Sequence, residues 1–147
     1  MSDDVTGRCL CGAVSFTVRD APDTYGICHC EMCRRWHGTS SLGVDVPQGN
    51  VDWSGEDKIA VRQSSAIAER AWCRACGASL WFRITADNEW AGTYDIPLGL
   101  FDDPDRFRLS HEIYIDHAPK GVAFADQGHK RITRAECVEK LPALDEI

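Results

Sequence analysis

Seven of the eight cysteines in this chain stand in three short clusters. The clusters are Cys9-Leu10-Cys11, Cys28-His29-Cys30-Glu31-Met32-Cys33 and Cys73-Arg74-Ala75-Cys76. Thiolates this close along the chain converge readily on one metal ion, whereas a disulfide needs Cα atoms about 4.4–6.8 Å apart in a defined geometry. Tetrahedral zinc takes four sulfur ligands at about 2.3 Å. Seven thiolates divide into a closed set of four, which is typical of a structural site, and an open set of three, which can do chemistry.

The closed set pairs the first cluster with the third. In C-x-C on an extended chain, Cys9 and Cys11 point the same way. A tight knuckle at Cys73 and Cys76 brings two more sulfurs together, and the following Gly77 allows the unusual backbone angles of such a turn. We predict a structural zinc on these four cysteines, which would pin the first strand to the middle of the chain. A pair of disulfides is the alternative.

The open set is Cys28, Cys30 and Cys33, and its fourth corner has no obvious local partner. His29 lies between two ligands and is expected to point away from them. His37 is four residues beyond Cys33 and is a candidate contact to the metal or the substrate. The distant Cys137 falls on a predicted helix, where we interpret it as a core residue rather than a ligand.

Three thiolates give zinc one net negative charge. Such a metal is a poorer Lewis acid than zinc on three neutral histidines, and it is better suited to holding a further thiolate from outside. Metal coordination deprotonates a thiol outright, and the bound sulfur remains nucleophilic. The pattern therefore favours thiol activation and attack on a small electrophile. Alternatively, this second zinc is also structural, with Cys137, a histidine or another chain as its fourth ligand.

Two arginines follow the open set directly, in an otherwise acidic chain. Arg34 and Arg35 precede Trp36 and His37. Arginine binds carboxylates in a bidentate manner, so both are candidate substrate contacts and would also offset the charge of the metal cluster. The alternative is a solvated helix face.

The remaining composition narrows the class of protein. The 147 residues fit one domain, and 44% hydrophobic with 27% charged residues is ordinary for a soluble globular protein. A net charge of -7 argues against nucleic-acid binding. No apolar run approaches the roughly 18 residues of a membrane span. The acidic start of the chain lacks the apolar region of a secretory signal, so we expect a cytoplasmic protein with reduced thiols.

Most predicted elements are strands. Hydrophobic residues alternate with period two in segments 13–18, 58–63, 78–84 and 112–116. A short helix is predicted over residues 31–37, and Thr133 to Glu136 resembles the capping box at a helix start. These patterns predict a mainly β domain with short helices, in which the cysteine pairs sit where strands begin, end or turn.

The ordered cysteine motifs resemble the glutathione-dependent formaldehyde-activating (GFA) family, also called the CENP-V/GFA domain. The residues that carry the likeness are Cys9-Leu10-Cys11-Gly12, Cys28-His29-Cys30-Glu31-Met32-Cys33-Arg34 and Cys73-Arg74-Ala75-Cys76-Gly77. Two later stretches, Gly92-Thr93-Tyr94-Asp95 with Pro97 and His111-Glu112-Ile113-Tyr114-Ile115, are also similar to the family. The likeness runs from about residue 6 to about residue 125, so we expect one domain over residues 1–147 with a C-terminal extension after the motif-bearing core.

The resemblance implies a mainly β, Mss4-like zinc-binding fold with two zinc ions. One is a structural zinc on Cys9, Cys11, Cys73 and Cys76, and the other is a labile zinc on Cys28, Cys30 and Cys33. It also implies a carbon–sulfur lyase whose partners are a small-molecule thiol and an aldehyde: the family's named reaction joins glutathione to formaldehyde, giving S-hydroxymethylglutathione. The thiol-activation argument reaches the same chemistry without the substrate. A non-catalytic zinc-binding module for protein interaction is the alternative. The native thiol, the aldehyde and the oligomeric state are left open.

Overall fold

The computed structural model describes residues 3–125 and 128–146. In chain order the elements are β1 (Val5–Arg8), β2 (Ser15–Val18), β3 (Thr24–Cys28), α1 (Glu31–His37), β4 (Ser41–Val46), β5 (Val51–Ser54), β6 (Ile59–Gln63), β7 (Ala68–Cys73), β8 (Ser79–Ile84), β9 (Tyr94–Pro97), β10 (Arg108–Ile113), β11 (Lys130–Ile132) and α2 (Arg134–Lys140). Several single 3-10 turns connect them. Within these described ranges there are two α-helices, of seven residues each. The predicted mainly β fold with short helices is confirmed.

The described strands form two sheets. The smaller sheet has the antiparallel order β1-β2-β5. The larger sheet has eight strands in the order β11-β10-β3-β4-β9-β8-β7-β6, antiparallel except where β10 runs parallel to β3 and β11. The last strand, β11, therefore lies at one end of the larger sheet and β6 lies at the other, while β3 and β4 lie near its middle.

The apolar face of β2 is the start of the core. Val14, Phe16 and Val18 have exposed fractions of 0%, 3% and 0%, as their alternation predicts. Phe16 packs with Val44, Ile96 and other buried side chains of the larger sheet. One face of the smaller sheet is thereby buried, and β1 and β2 are held where the first cysteine pair begins.

The helix predictions agree with the structure. The segment over residues 31–37 is α1, and Cys30 caps its start. The capping box of α2 forms as expected: the Thr133 side chain accepts from the backbone of Glu136, and the Glu136 side chain accepts from the backbone of Thr133. Among the described residues, no helix combines the length and the apolar character needed to cross a membrane.

The predicted strand over residues 112–116 is displaced. The strand is β10, which ends at Ile113, and Ile115–His117 form a 3-10 turn. Tyr114 adopts a left-handed backbone with φ of 54°, a conformation that an extended strand does not contain. Alternation of apolar residues continued past the point where the backbone turns, so the pattern alone placed the strand too late.

Candidate metal centres and the adjoining cavity

Four sulfurs from the first and third cysteine clusters meet at one point. Those of Cys9, Cys11, Cys73 and Cys76 all lie within 4.8 Å of one another. Cys9 to Cys11 is 3.7 Å and Cys11 to Cys73 is 3.9 Å. A tetrahedron of 2.3 Å zinc–sulfur bonds has sulfur–sulfur edges of about 3.8 Å, whereas a disulfide bond is about 2.05 Å long. This set has the geometry to hold a metal ion, and the disulfide alternative does not occur.

Each of the two cysteine pairs in this cluster is followed by a glycine with a left-handed backbone. Gly12 and Gly77 each follow a cysteine pair with φ of 80° and 82°, a region that glycine enters without steric cost. Backbone hydrogen bonds from Ala78 and Cys11 lower the pKa of the Cys76 thiol to about 6. Part of the cluster is therefore ionised at neutral pH, and adjacent thiolates repel unless a cation lies among them.

The second cluster is built by the junction of β3 and α1. Cys28 ends β3, Cys30 is the N-cap of α1, and Cys33 lies in the first turn, where its N–H donates to the Cys30 sulfur at 3.4 Å. The three sulfurs lie within 4.8 Å of one another. In the part of the chain that the structure describes, no further Cys, His, Asp or Glu ligand atom joins them at that distance. The set can hold a metal ion with one position left for another ligand.

A buried arginine contacts this second cluster. The guanidinium Nη2 of Arg70 donates to Cys33 Sγ at 3.5 Å, and only 2% of Arg70 is exposed. Its charge lies 4.9 Å from the ring centre of Phe82 and 5.7 Å from that of Trp36. Hydrogen bonds from Cys28 and Cys30 lower the pKa of the Cys33 thiol well below its usual range, and the charge of Arg70 adds to this effect.

Sequence reasoning missed Arg70, although a signal was present. Strand β7 reads Ala68-Glu69-Arg70-Ala71, and Arg70 stands at a position that alternation directs inward. Charged residues are almost never fully buried unless they are paired. An inward-facing charged residue on the strand that leads to a cysteine cluster therefore indicates that the core contains a partner for its charge.

His29 points away from the metal position, as predicted, and is fully buried. Its Nδ1 lies 2.6 Å from Ser40 Oγ and its Nε2 lies 2.6 Å from Glu112 Oε1. The other carboxylate oxygen of Glu112 lies 2.5 Å from Nε2 of His129. Burial acts to raise the pKa of Glu112, but the hydrogen bonds from both histidines outweigh it and the pKa is lowered. The network fastens the Cys28–Cys30 loop to β10.

A cavity of about 440 Å³ opens beside the second cluster. All three cysteines line it, together with the polar groups of His37, Arg70, Asp95 and Arg134. The rest of its wall is largely apolar and includes Phe82, Ile84 and Ile113. This volume lies within the range of small-molecule sites, which combine apolar walls with a few polar groups.

The other sequence candidates lie at or beyond this wall. His37 lines the cavity, and burial lowers the pKa of its ring. Arg34 and Arg35 are not among the described residues that line it, and the exposed Arg35 pairs with Glu31. Cys137 is buried in α2 outside both cysteine clusters, as a core residue would be, and borders a smaller neighbouring cavity of about 270 Å³.

The five tryptophans are absent from the described lining of the larger cavity. Trp36 packs on Trp72 with ring centres 5.8 Å apart. Trp90 borders the smaller cavity. The guanidinium of Arg70 contacts both the Trp36 ring and the sulfur of Cys33.

Comparison with known proteins places these features in a family. The family model described as glutathione-dependent formaldehyde-activating enzyme matches residues 4–117, a range that contains both the four-cysteine set and the three-cysteine set. An uncharacterized lyase of Schizosaccharomyces pombe is 28% identical over 121 residues, which cover 82% of this chain and 85% of the relative. A crystal structure of a Rhodobacter sphaeroides protein has a TM-score of 0.54 at 19% identity, over 87% of this chain and 99% of that one. The last likeness concerns the fold alone.

Proposed function

The chain belongs to the glutathione-dependent formaldehyde-activating family, and we propose that it is a zinc-dependent carbon–sulfur lyase. The reaction joins a thiol, glutathione or a similar molecule, to a small aldehyde such as formaldehyde, and it runs in both directions. The observation that carries this proposal is a set of three sulfurs, rather than four, at the wall of a cavity of about 440 Å³. The relative in Schizosaccharomyces pombe that is named as a lyase adds support.

The two cysteine sets have different roles in this proposal. Cys9, Cys11, Cys73 and Cys76 would hold a structural zinc that fastens β1 to β7. Cys28, Cys30 and Cys33 would hold the second, more labile zinc. Zinc bound there would keep an incoming thiol in its nucleophilic thiolate form. Three thiolates suit this task because they leave one coordination position for an external sulfur.

The residues around the cavity suit an anionic thiol. Arg134, whose guanidinium pairs with Asp145, brings positive charge to its wall, and Arg70 offsets the charge of the cysteines. His37 adds a neutral ring with a hydrogen-bonding nitrogen. Guanidinium groups bind carboxylates in a bidentate manner. The apolar part of the wall excludes water and strengthens these interactions. Arg34 and Arg35, outside the described lining, keep a proposed role in steering an anionic substrate toward the entrance.

The proposal is tested with zinc-replete protein. Metal content is measured with and without added glutathione, X-ray absorption at zinc counts the sulfur ligands, and NMR follows adduct formation from thiols and small aldehydes. We expect two zinc ions, one additional sulfur on adding the thiol, and adduct formation. Cys30→Ser should abolish adduct formation and keep the fold, because the four-cysteine set is untouched. Cys137→Ser, a buried cysteine outside both sets, is the matched control and should remain active.

A broad screen in which no thiol–aldehyde pair forms or cleaves an adduct would contradict the proposal. The chain would then be interpreted as a non-catalytic zinc-binding module. Adduct formation by Cys30→Ser at the rate of the unchanged protein would likewise remove the second cluster from the reaction.

A further inference from the structure

We infer that Asp95 is a catalytic residue that carries a proton between the thiol and the aldehyde oxygen. This inference rests on the proposed function and assigns a residue to one step of it. In the sequence, Asp95 stands in a stretch, Gly92 to Asp95, that is similar to the family. Its position in the sheet places its carboxyl group at the cavity beside the second cysteine cluster.

Sheet register brings Asp95 to the cluster. Directly opposite residues of antiparallel strands project to the same face of a sheet. Arg70 of β7 is opposite Phe82 of β8, and Phe82 is opposite Asp95 of β9. The three side chains thus form a row under the cavity, and all three line it. Arg70 contacts Cys33 at one end of this row, so Asp95 at the other end faces the same space as the sulfurs.

The Asp95 carboxyl group has no partner in the described part of the chain. No hydrogen bond or ion pair to it occurs there. The side chain lies over Gly43 of β4, where an added Cβ would overlap the carboxyl group. Glycine at position 43 therefore gives Asp95 its room. A carboxyl group that is accommodated in this way but stabilised by no partner contributes little to the fold, and it is free to act on a ligand.

Its surroundings favour the protonated acid. Burial raises the pKa of Asp95 well above its usual range, and nearby Asp45 and Cys33 raise it further, while Arg70 acts in the opposite direction. Burial also raises the pKa of Asp45, while the charge of His111 on β10 acts to lower it. Asp95 can therefore hold a proton where an ordinary aspartic acid has lost it, and it can release that proton to a stronger base. Perturbed groups of this kind are concentrated at functional sites.

The reaction needs such a carrier. Sulfur adds to the aldehyde carbon, a carbon–sulfur bond forms, and the π electron pair of the carbonyl moves to oxygen. That oxygen takes the proton from the Asp95 carboxyl group and becomes the hydroxyl of the adduct. The proton released when the thiol becomes a thiolate returns to Asp95. One thiol and one aldehyde give one hemithioacetal, and no proton is gained or lost. In the reverse direction the carboxylate removes the hydroxyl proton.

Two other titratable groups at the cavity wall are less suited to this task. Burial raises the pKa of Tyr114 to about 12, so its phenol is a weak proton donor. Burial lowers the pKa of His37, so its ring is neutral at pH 7 and has no extra proton to donate. The efficiency of a general acid is greatest when its pKa lies near the working pH, and of the three, only the shift of Asp95 moves a proton-donating group toward neutrality.

The test compares Asp95→Asn with Asp45→Asn. Asparagine has the shape of a protonated aspartic acid, so Asp95→Asn should fold and bind two zinc ions and thiol as before. Its kcat should fall by about 100-fold or more, since general acid–base catalysis contributes about 10²–10⁴-fold. Asp45 is directly opposite Asp95 on β4 but lies outside the described lining of the larger cavity. Asp45→Asn removes the same chemical group outside that cavity. Because burial raises the pKa of Asp95 more than Asp45 does, this variant should keep most of its kcat and shift only the pH profile of kcat toward lower pH.

A second measurement does not depend on turnover. The infrared spectrum of the protein without substrate should contain a protonated-carboxyl stretch at neutral pH that is missing in Asp95→Asn and retained in Asp45→Asn. If the unchanged protein forms no adduct, the proposed function fails and this inference fails with it. If it is active and Asp95→Asn is equally active, only the inference is overturned. Loss of zinc or thiol binding in Asp95→Asn would also overturn it, in favour of a structural role.

Discussion

Replacing Arg70 with methionine removes a buried basic side chain that donates a hydrogen bond to the second cysteine cluster. Methionine keeps much of the apolar volume that packs on Phe82 and Trp36. A zinc ion on Cys28, Cys30 and Cys33 would give the site one net negative charge, for which the buried guanidinium of Arg70 would compensate. In Arg70→Met that buried charge would have no such counterpart. We therefore expect the affinity for the second zinc to fall while the first zinc stays bound.

The magnitude follows from the distance of 3.5 Å between Arg70 Nη2 and Cys33 Sγ. At an effective dielectric constant of about 20, unit charges at that distance attract by roughly 5 kcal/mol. The guanidinium charge is spread over three nitrogens and the cluster charge over three sulfurs, which reduces the attraction to about half, or about 2–3 kcal/mol. This corresponds to an affinity that is roughly 30- to 150-fold lower.

The assay is a zinc titration against a chromophoric chelator, with both metal sites resolved. Arg62→Met is the matched control: Arg62 is directly opposite Arg70 on the neighbouring strand, but it is exposed. That variant loses the same charge and should bind the second zinc normally. Equal second-site affinities of Arg70→Met and Arg62→Met would refute the argument that Arg70 compensates for the charge of the cluster.

Three further outcomes are expected. Cys9→Ser should lose one zinc and much of the free energy of unfolding, measured by urea denaturation, because structural zinc contributes directly to folding. Cys137→Ser should lose little of that free energy, and equal losses in the two variants would contradict this prediction. A competing chelator should remove the zinc at Cys28, Cys30 and Cys33 first, since three protein ligands hold less firmly than four, and simultaneous release would argue against an open site. Glu112→Gln should destabilise the fold by about 1.5–3 kcal/mol at neutral pH through weakened hydrogen bonds to His29 and His129. Because the folded-state pKa of Glu112 lies below its ordinary value of 4.5, this difference should be full above that pH and shrink as the pH falls through the folded-state pKa; a difference that is independent of pH would contradict it.

The cysteine sets could be predicted from the sequence because they depend on residue type and short spacing along the chain. Spacings such as that of Cys28, Cys30 and Cys33 limit where the sulfurs can go, whatever surrounds them. The same holds for alternation in β2 and for the capping box at Thr133, since both depend on residues a few positions apart. Pairing of Cys9 with Cys73 followed from counting ligands, because tetrahedral zinc needs four.

Contacts between strands that are distant in the chain could not be predicted from residue type and short-range spacing. Arg70 meets Cys33, and Asp95 joins the same row, only because β7, β8 and β9 pair in one particular register. A shift of one residue would turn each of these side chains to the opposite face. His29 and Glu112 are 83 residues apart in the chain, and neither one by itself indicates a buried network.

The backbone at Tyr114 shows the same limit on a smaller scale. Alternation predicted a strand through residue 116, but Tyr114 has a left-handed backbone and β10 ends at Ile113. The sequence by itself determined which residues can hold metal, because ligand type and spacing are covalent properties of the chain. The tertiary structure decided which charged and acidic side chains face the second cysteine cluster, because side chains from separate strands line one cavity only after those strands have paired.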